Sequence, residues 1–459
     1  SRAPISTRLP LTALYQKNGK SFVWIVTPDS SLVHAREVQV GDVAQDAVLI
    51  ADGVAARKEE LARLSSINNG KPLAESLVDM GDVISSFSYY ARLAADLDKK
   101  QNSNVAVPDS SYRARLTLEP VGVAGLIVPW NFPLVTTSWK VGPALAAGCT
   151  VVLKPSEVTP IVELELGAIA QAASLPPGVL NIVTGTGPSV ARRMTTHRDV
   201  AKISFTGSNA VGARVMQAAA SGPKAIGLEL GGKSPILAFA DADLDQAAEL
   251  VVGGIFYNAG QMCSATSRLL VEKSVAPDLL ERIVVAAQDL TMGDPLDPAT
   301  RMGPLTTRAQ FDKVTSYIER GVKEGLRLLI GGGRPKGADR GWFIAPTIFT
   351  DVPTDSALWR EEIFGPVLCT RTFATEAEAI ALANDSDFGL VATIATRDAA
   401  RAERVADALE AGHVWINSPQ TIFVETSWGG FKGSGIGREL GPWGLDAYLE
   451  VKHKTTRLG

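Results

Sequence analysis

The chain has 459 residues and a formal net charge of -4, from 45 basic and 49 acidic residues. That length exceeds one compact core and calls for two or three domains, and the balanced charge leaves no basic footprint for nucleic acid. The three cysteines, Cys149, Cys263 and Cys369, show no CxxC spacing and the four histidines are scattered, which argues against a disulfide framework, a structural zinc site or any histidine-ligated metal.

The chain opens SRAPISTRLPLTALYQ, without the long apolar core of a signal peptide. Residues 1–50 then read as short strands, LTALYQ, SFVWIVTP and VHAREVQVG, split by NGK and DSS. From about Ala51 the pattern changes to helix, first VAARKEELARL and then VDMGDVISSFSYYARLAADLD, with apolar residues at helical spacing. RARLTLEP (113–120) reads as an edge strand closed by Pro120. The longest apolar run, residues 121–128, is too short to cross a membrane. It suits a parallel strand covered on both faces. WKVGPALAAGCTVVLKP then reads as helix, turn and strand, VELELGAIAQAA as helix, GVLNIVTG and AKISF as strands, and NAVGARVMQAAA as helix. This alternation from 121 to 240 predicts a doubly wound parallel sheet. A second α/β stretch runs from 233 to 433. The last segment, DAYLEVKHKTT, reads as a strand that pairs with 112–120 in a small sheet suited to an oligomer contact. A reducing cytoplasm, with no membrane partner, is the simplest compartment for a chain with free thiols.

Cys263 is the candidate nucleophile. It follows Gly260 and Gln261 and precedes Ser-Ala-Thr-Ser, small polar residues that allow close backbone approach, and a helix end there would favour the thiolate. Cys149 and Cys369 lie in apolar runs and read as inert core. Glu229, in Gly-Leu-Glu-Leu-Gly-Gly-Lys, is a carboxylate between leucines, where desolvation raises its pKa toward that of a general base. Asn131, in Pro-Trp-Asn-Phe-Pro, stands just past a buried strand, at the edge where ligands bind in open α/β sheets. Its amide is suited to an oxyanion, although an Asx turn would use the same residue. Phe205-Thr-Gly-Ser-Asn-Ala-Val-Gly joins a strand to a helix and turns N–H groups toward a phosphate. Lys154-Pro-Ser-Glu157 follows a strand and is suited to ribose hydroxyls, its acid favouring NAD over NADP.

Together these motifs resemble the aldehyde dehydrogenase superfamily, over about residues 51–457, in VPWNFP, AGCTVVLKPSE, FTGS, LELGGKSP, GQMCSATSRLL, EEIFGPVL and WGGFKGSGIGRELG. The resemblance implies an α/β fold of three parts. An NAD-binding domain with a doubly wound parallel sheet spans 51–111 and 121–232, an α/β catalytic domain spans 233–433, and an oligomerisation ribbon of 112–120 and 446–457 implies a homodimer or homotetramer. It further implies Cys263 as nucleophile, Glu229 as base, Asn131 as oxyanion donor, and Lys140 and Glu439 as a proton relay. The implied NAD contacts are Ile127, Pro129, Trp130, Lys154, Ser156, Glu157, Gly187, Phe205, Gly207, Ser208, Val211, Leu230, Glu362 and Phe364. Within the superfamily the chain is most similar to betaine-aldehyde and aminoaldehyde dehydrogenases. This implies a cationic aldehyde held among Phe132, Trp139, Tyr257, Trp428 and Phe423, an arrangement that cation–π attraction explains. Two other readings stand beside it. One is a dehydrogenase of uncharged aldehydes or semialdehydes, for which Lys432 is the candidate carboxylate partner. The other is a binding or structural protein impaired by its N-terminus, because residues 1–48 depart from the family and resemble the final β-rich portion of efflux-pump periplasmic adaptors.

Overall fold

The computed structural model describes residues 48–459 in full. Of the first 47 it describes only the backbone of three strands and of Ala47. Those strands, Tyr15–Lys17, Lys20–Val26 and Val33–Val38, form an antiparallel sheet. The backbone of the middle one comes within 8 Å of strand Thr150–Lys154.

A six-stranded sheet carries the first half of the chain. Its order is Gly435–Ile436, Ala225–Glu229, Val200–Thr206, Val123–Ile127, Thr150–Lys154, Leu180–Ile182. Only the two-residue strand 435–436 is antiparallel to its neighbour. Strand Val123–Ile127 is buried at every position, as its continuous apolar run predicts for a parallel strand roofed on both faces. From it the chain winds outward through 150–154 and 180–182, then returns to its other side at 200–206 and 225–229. The strand order therefore reverses beside Val123–Ile127, and the loops leaving the carboxyl ends of 123–127 and 200–206 flank a crevice. Helices Leu73–Lys100 and Val135–Ala146 pack against this sheet around Val83, Phe87, Leu126, Leu145 and Leu153.

The second sheet has seven strands, in the order Arg327–Ile330, Thr347–Thr350, Val367–Phe373, Arg268–Glu272, Pro235–Ala238, Val391–Ala395, His413–Ile416. All pairs are parallel except the first. Its own core includes Phe239, Phe256, Phe349 and Trp359. The third element is a three-stranded antiparallel sheet in which Tyr112–Pro120 lies between Ser103–Val105 and Leu449–Arg457. Residues 113–120 are thus a central strand and not an edge. Strand 103–105, which has too few residues to show a sequence period, takes one edge, and the almost wholly exposed final strand takes the other. No helix among the described residues is long and apolar enough to cross a membrane.

Candidate active site

Cys263 is placed by an unusual piece of backbone. Helix Leu244–Phe256 starts at Asp243, whose carboxylate accepts from the N–H groups of Asp245 and Gln246, and it ends in the turn Tyr257–Gly260. There Asn258, Ala259 and Gly260 have φ of 47°, 52° and 74°. A left-handed residue other than glycine costs about 1–2 kcal/mol, so neighbours must hold the turn. The Asn258 amide donates to the carbonyls of Asn131 (3.0 Å) and Gln261 (3.2 Å), and its N–H donates to buried Glu75 (3.0 Å). The Gln261 side chain donates to Asn258 O at 3.0 Å and accepts from Thr306 N at 2.9 Å. Gly260 admits no side chain, because a Cβ would lie 2.1 Å from Gly365 O. The turn delivers Cys263, partly exposed, to the wall of a cavity of about 510 Å³. Burial of the sulfur, then the charges of Glu229 and Glu362, push its thiol pKa up. The expectation of a helix end at the thiol is corrected: the segment before Cys263 is a left-handed turn with no helical N-terminus. Cys149 and Cys369 are buried in the two cores, and burial raises Cys149 to about 12.

Asn131 leaves the carboxyl end of strand Val123–Ile127 and crosses to the second sheet. Its amide donates to Gln261 O at 3.0 Å, two residues before Cys263. Glu229 ends strand Ala225–Glu229, is buried, and neither of its carboxyl oxygens has a hydrogen-bond partner among the described residues. Burial, reinforced by the charge of Glu439, raises its pKa well above the usual carboxylate range, against the opposing charges of Lys140 and Arg438. Glu229 does not line the large cavity. It lines a second one of about 70 Å³ behind it, with Glu439, Lys202, Ser204, Trp139 and Tyr448. That volume accommodates a few waters. Lys140, wholly buried, donates to Glu439, which also accepts from Ser204 at 3.2 Å.

Most of the residues expected at the cofactor lie along the carboxyl edge of the first sheet, and Glu362 and Phe364 reach the cavity from the second. Ile127 is in register with Lys154 on one side and Phe205 on the other, and Thr206 with Glu229. Lys154 donates to Glu157 at 2.9 Å, and Ser156 accepts from Val158 N at 3.2 Å. Against the upward push of burial, the Lys154 hydrogen bond holds the Glu157 carboxyl below the usual range, with a smaller contribution from the N–H of Gly187, which borders open space. Ser208 is the N-cap of helix Asn209–Ala219, with Val211 exposed in its first turn. Pro129, Trp130, Gly207, Ser208, Leu230, Glu362 and Phe364 all line the large cavity, and Trp130 meets Phe364 edge-on at 5.5 Å. Glu362 accepts from Gly232 N at 3.0 Å, and its carboxylate fills the place a Cβ of residue 231 would take, at 2.5 Å. Beside it stand two residues the sequence reading missed, Gln310 and Lys313, which donate to the carbonyls of Phe364 (2.6 Å) and Glu362 (3.0 Å). A dinucleotide fits this strip: an open glycine beside a lysine–acid pair, a helix N-terminus, and Thr206 with a buried hydroxyl lacking a partner among the described residues.

On the other side of Cys263 the cavity is aromatic and acidic. Phe132 stacks on Tyr257 at 6.4 Å, and Trp139 meets Trp428 at 5.6 Å. Asp79, Asp82 and Glu249 join them, and Lys313 is the only basic residue among the described lining. Asp79 is paired with Lys71 at 2.5 Å, and the Lys71 ammonium sits 3.6 Å over the Phe132 ring. Burial, then the Asp79 charge, raises Asp82 to about 7. The sequence reading missed these acids. Their helical pattern showed a buried face but not what that face meets. Phe423 is 59% exposed and does not line the cavity; Ile422 does. Lys432 donates to the carbonyls of Asn384 and Ser386, away from the cavity. No group of three possible metal ligands occurs among the described residues.

This arrangement of thiol, amide, buried acid and dinucleotide strip defines a family. The chain matches the aldehyde dehydrogenase family over residues 39–454 and belongs to it. It is 50% identical over 406 residues to the peroxisomal aminoaldehyde dehydrogenase 2 of Pisum sativum, covering 88% of this chain and 81% of that protein. It is 47% identical over 407 residues to the chloroplastic betaine aldehyde dehydrogenase of Beta vulgaris, covering 89% and 81%. It superposes with a TM-score of 0.88 on the betaine aldehyde dehydrogenase of Staphylococcus aureus in complex with NAD+, at 39% identity, covering 90% and 82%. Two expectations are corrected. The cytoplasmic compartment does not stand, because relatives this similar are peroxisomal or chloroplastic proteins. Free thiols and the lack of a membrane-length apolar run do not distinguish one reducing compartment from another. The adaptor likeness of residues 1–48 finds no support, and the family match already begins at residue 39.

Proposed function

We propose that this chain oxidises a cationic aldehyde, betaine aldehyde or an aminoaldehyde, to its acid with NAD. The observation that carries the substrate class is the lining of the cavity beside Cys263. Among the described residues it has six aromatic side chains and four acids, while its one basic residue, Lys313, donates to a backbone carbonyl. Aromatic faces and carboxylates attract a cation, and a semialdehyde carboxylate would meet no free positive partner there. Cys263 gives its proton to water in the cavity as its sulfur bonds to the aldehyde carbon and the carbonyl π bond opens to the oxyanion. The oxyanion of that thiohemiacetal takes the Asn131 amide, together with the Cys263 N–H. Lys154, Glu157, Ser208, Gln310, Lys313 and Glu362 hold NAD, whose chemistry when bound is acceptance of the hydride that turns the adduct into a thioester. Glu229 takes a proton from water, which adds to the thioester and releases the acid and the Cys263 sulfur. Glu439 and Lys140 pass that proton on. We assign residues 51–111 and 121–232 to the cofactor domain and 233–433 to the catalytic domain. Strands 112–120 and 446–457 form the oligomer contact of a dimer or tetramer.

The test follows NADH by absorbance with betaine aldehyde, an aminoaldehyde and an aliphatic aldehyde, with Cys263→Ala as control. Turnover that depends on Cys263 and favours the cationic aldehydes is expected. Preference for the aliphatic aldehyde would remove the substrate class and leave the chemistry.

A further inference from the structure

Another buried acid lies next to the oxyanion loop and has no place in the chemistry above. Glu163, in the first turn of helix Ile161–Ala172, is wholly buried. One of its oxygens accepts from Leu134 N at 3.2 Å, with the Thr137 hydroxyl 3.5 Å away. Its other oxygen has no partner among the described residues. An apolar side chain would fill this site without stripping water from a carboxyl group, so the packing alone does not call for an acid.

Leu134 explains what the acid does. It is the residue before helix Val135–Ala146, it is buried, and its backbone is left-handed, with φ 66° and ψ -36°. A leucine in that conformation is strained, and its N–H is one of the groups a helix leaves unpaired at its start. Glu163 supplies the missing acceptor. The residues between Leu134 and Asn131 transmit this anchor: Pro133 has a fixed φ, and the Phe132 carbonyl accepts from both the N–H (3.3 Å) and the hydroxyl (3.1 Å) of Thr136. Asn131 is therefore held from both sides: its carbonyl accepts from Asn258 (3.0 Å) and its amide donates to Gln261 O on the Cys263 loop, while the chain that follows it is anchored through Leu134 to Glu163.

We infer that Glu163 is a positioning residue for the oxyanion donor: by holding the Leu134 N–H it fixes the backbone from which the Asn131 amide reaches the site. The inference rests on the reading of Asn131 as that donor. A misplacement near 1 Å at a catalytic group costs up to about a hundredfold in rate, and the effect falls on the chemical step and not on NAD affinity.

The test is a cycle of Glu163→Met, Asn131→Ala and the double variant, with kcat measured for betaine aldehyde. The NAD dissociation constant by fluorescence and the melting temperature are measured beside it. Glu163→Met is expected to bind NAD and melt like the parent while kcat falls about tenfold or more. Glu163→Gln, which keeps the acceptor oxygen, restores kcat. In the Asn131→Ala background, Glu163→Met should cost nothing further. Parent-like kcat in Glu163→Met, or an equal loss in both backgrounds, overturns the inference. Asn131→Ala with undiminished kcat would instead sink the oxyanion reading itself. Should Glu163→Met not fold, hydrogen exchange in the native enzyme decides. A Leu134 amide as slow as core amides supports the anchor, and one as fast as a surface loop overturns it.

Discussion

Glu229 and Glu439 line the same small rear cavity. Glu229 works as a base when ionised, and burial plus the Glu439 charge raise its pKa. The deacylation rate should therefore climb with pH through that raised value. Glu439→Gln removes the charge that opposes ionisation, so the ascending limb of the kcat profile should move to lower pH; an unmoved limb would show the two carboxyls uncoupled. Glu229→Gln should lower kcat by about 10²–10⁴-fold while leaving a burst of one NADH per site, read by stopped flow. Asp82, raised to about 7, should be charged above that pH and neutral below it. With betaine aldehyde, whose quaternary nitrogen cannot titrate, KM is expected to fall between pH 6 and 8. Asp82→Asn should flatten this trend, and a parent KM already flat would remove Asp82 from substrate recognition. Cys263, Glu229 and Asn131, the residues proposed as nucleophile, base and oxyanion donor, stood out in the sequence because each sits in a distinctive glycine- or proline-flanked segment. Asp79, Asp82, Gln310 and Lys313 were not, because they lie on long amphipathic helices whose period looks the same whatever their polar faces meet.

At the level of elements, the parallel strands announced themselves as unbroken apolar runs, and the winding of the first sheet followed from their alternation with helices. What the sequence hid was the left-handed turn at Asn258–Gly260. Gly260 and Asn258 hinted at it, since both residue types tolerate positive φ, but Ala259 between them did not. Strand 103–105 was hidden too, and with it the central position of 112–120. Among the described residues the final strand leaves its outer edge unpaired, with Val451 58% exposed, and natural proteins cover such edges. On the proposal that this edge is the oligomer contact, the intact chain should be a dimer or tetramer by light scattering and the chain without residues 449–459 a monomer. A full-length chain that is already monomeric would show that this edge is not the contact.

Across the whole molecule, the large cavity is walled by both principal sheets: Trp130, Gly207 and Leu230 come from one side, Gln310, Lys313 and Glu362 from the other. A dinucleotide filling it ties the two together. At a hundred times its dissociation constant a ligand stabilises the native state by about 2.7 kcal/mol, so saturating NAD should raise the melting temperature by a few degrees. No rise would show that the strip along the first sheet does not hold the dinucleotide. The division of labour between the sheets was readable from the order of motifs, whereas the meeting of their loops was not, since it depends on contacts more than 100 residues apart, such as Asn131 with Gln261.

The base and the nucleophile occupy different rooms. Glu229 opens onto the small rear chamber, while Cys263 faces the large one, with Trp428 in the walls of the large chamber and Glu439 in the walls of the small one. A base that faced the sulfur throughout could activate water against a carbonyl carbon not yet oxidised. On the proposed mechanism, a base kept behind the wall reaches the reacting carbon by a side-chain swing. Such an enzyme would run on a clock with two hands: oxidation timed by the arrival of the aldehyde, and hydrolysis by the turning of one carboxyl.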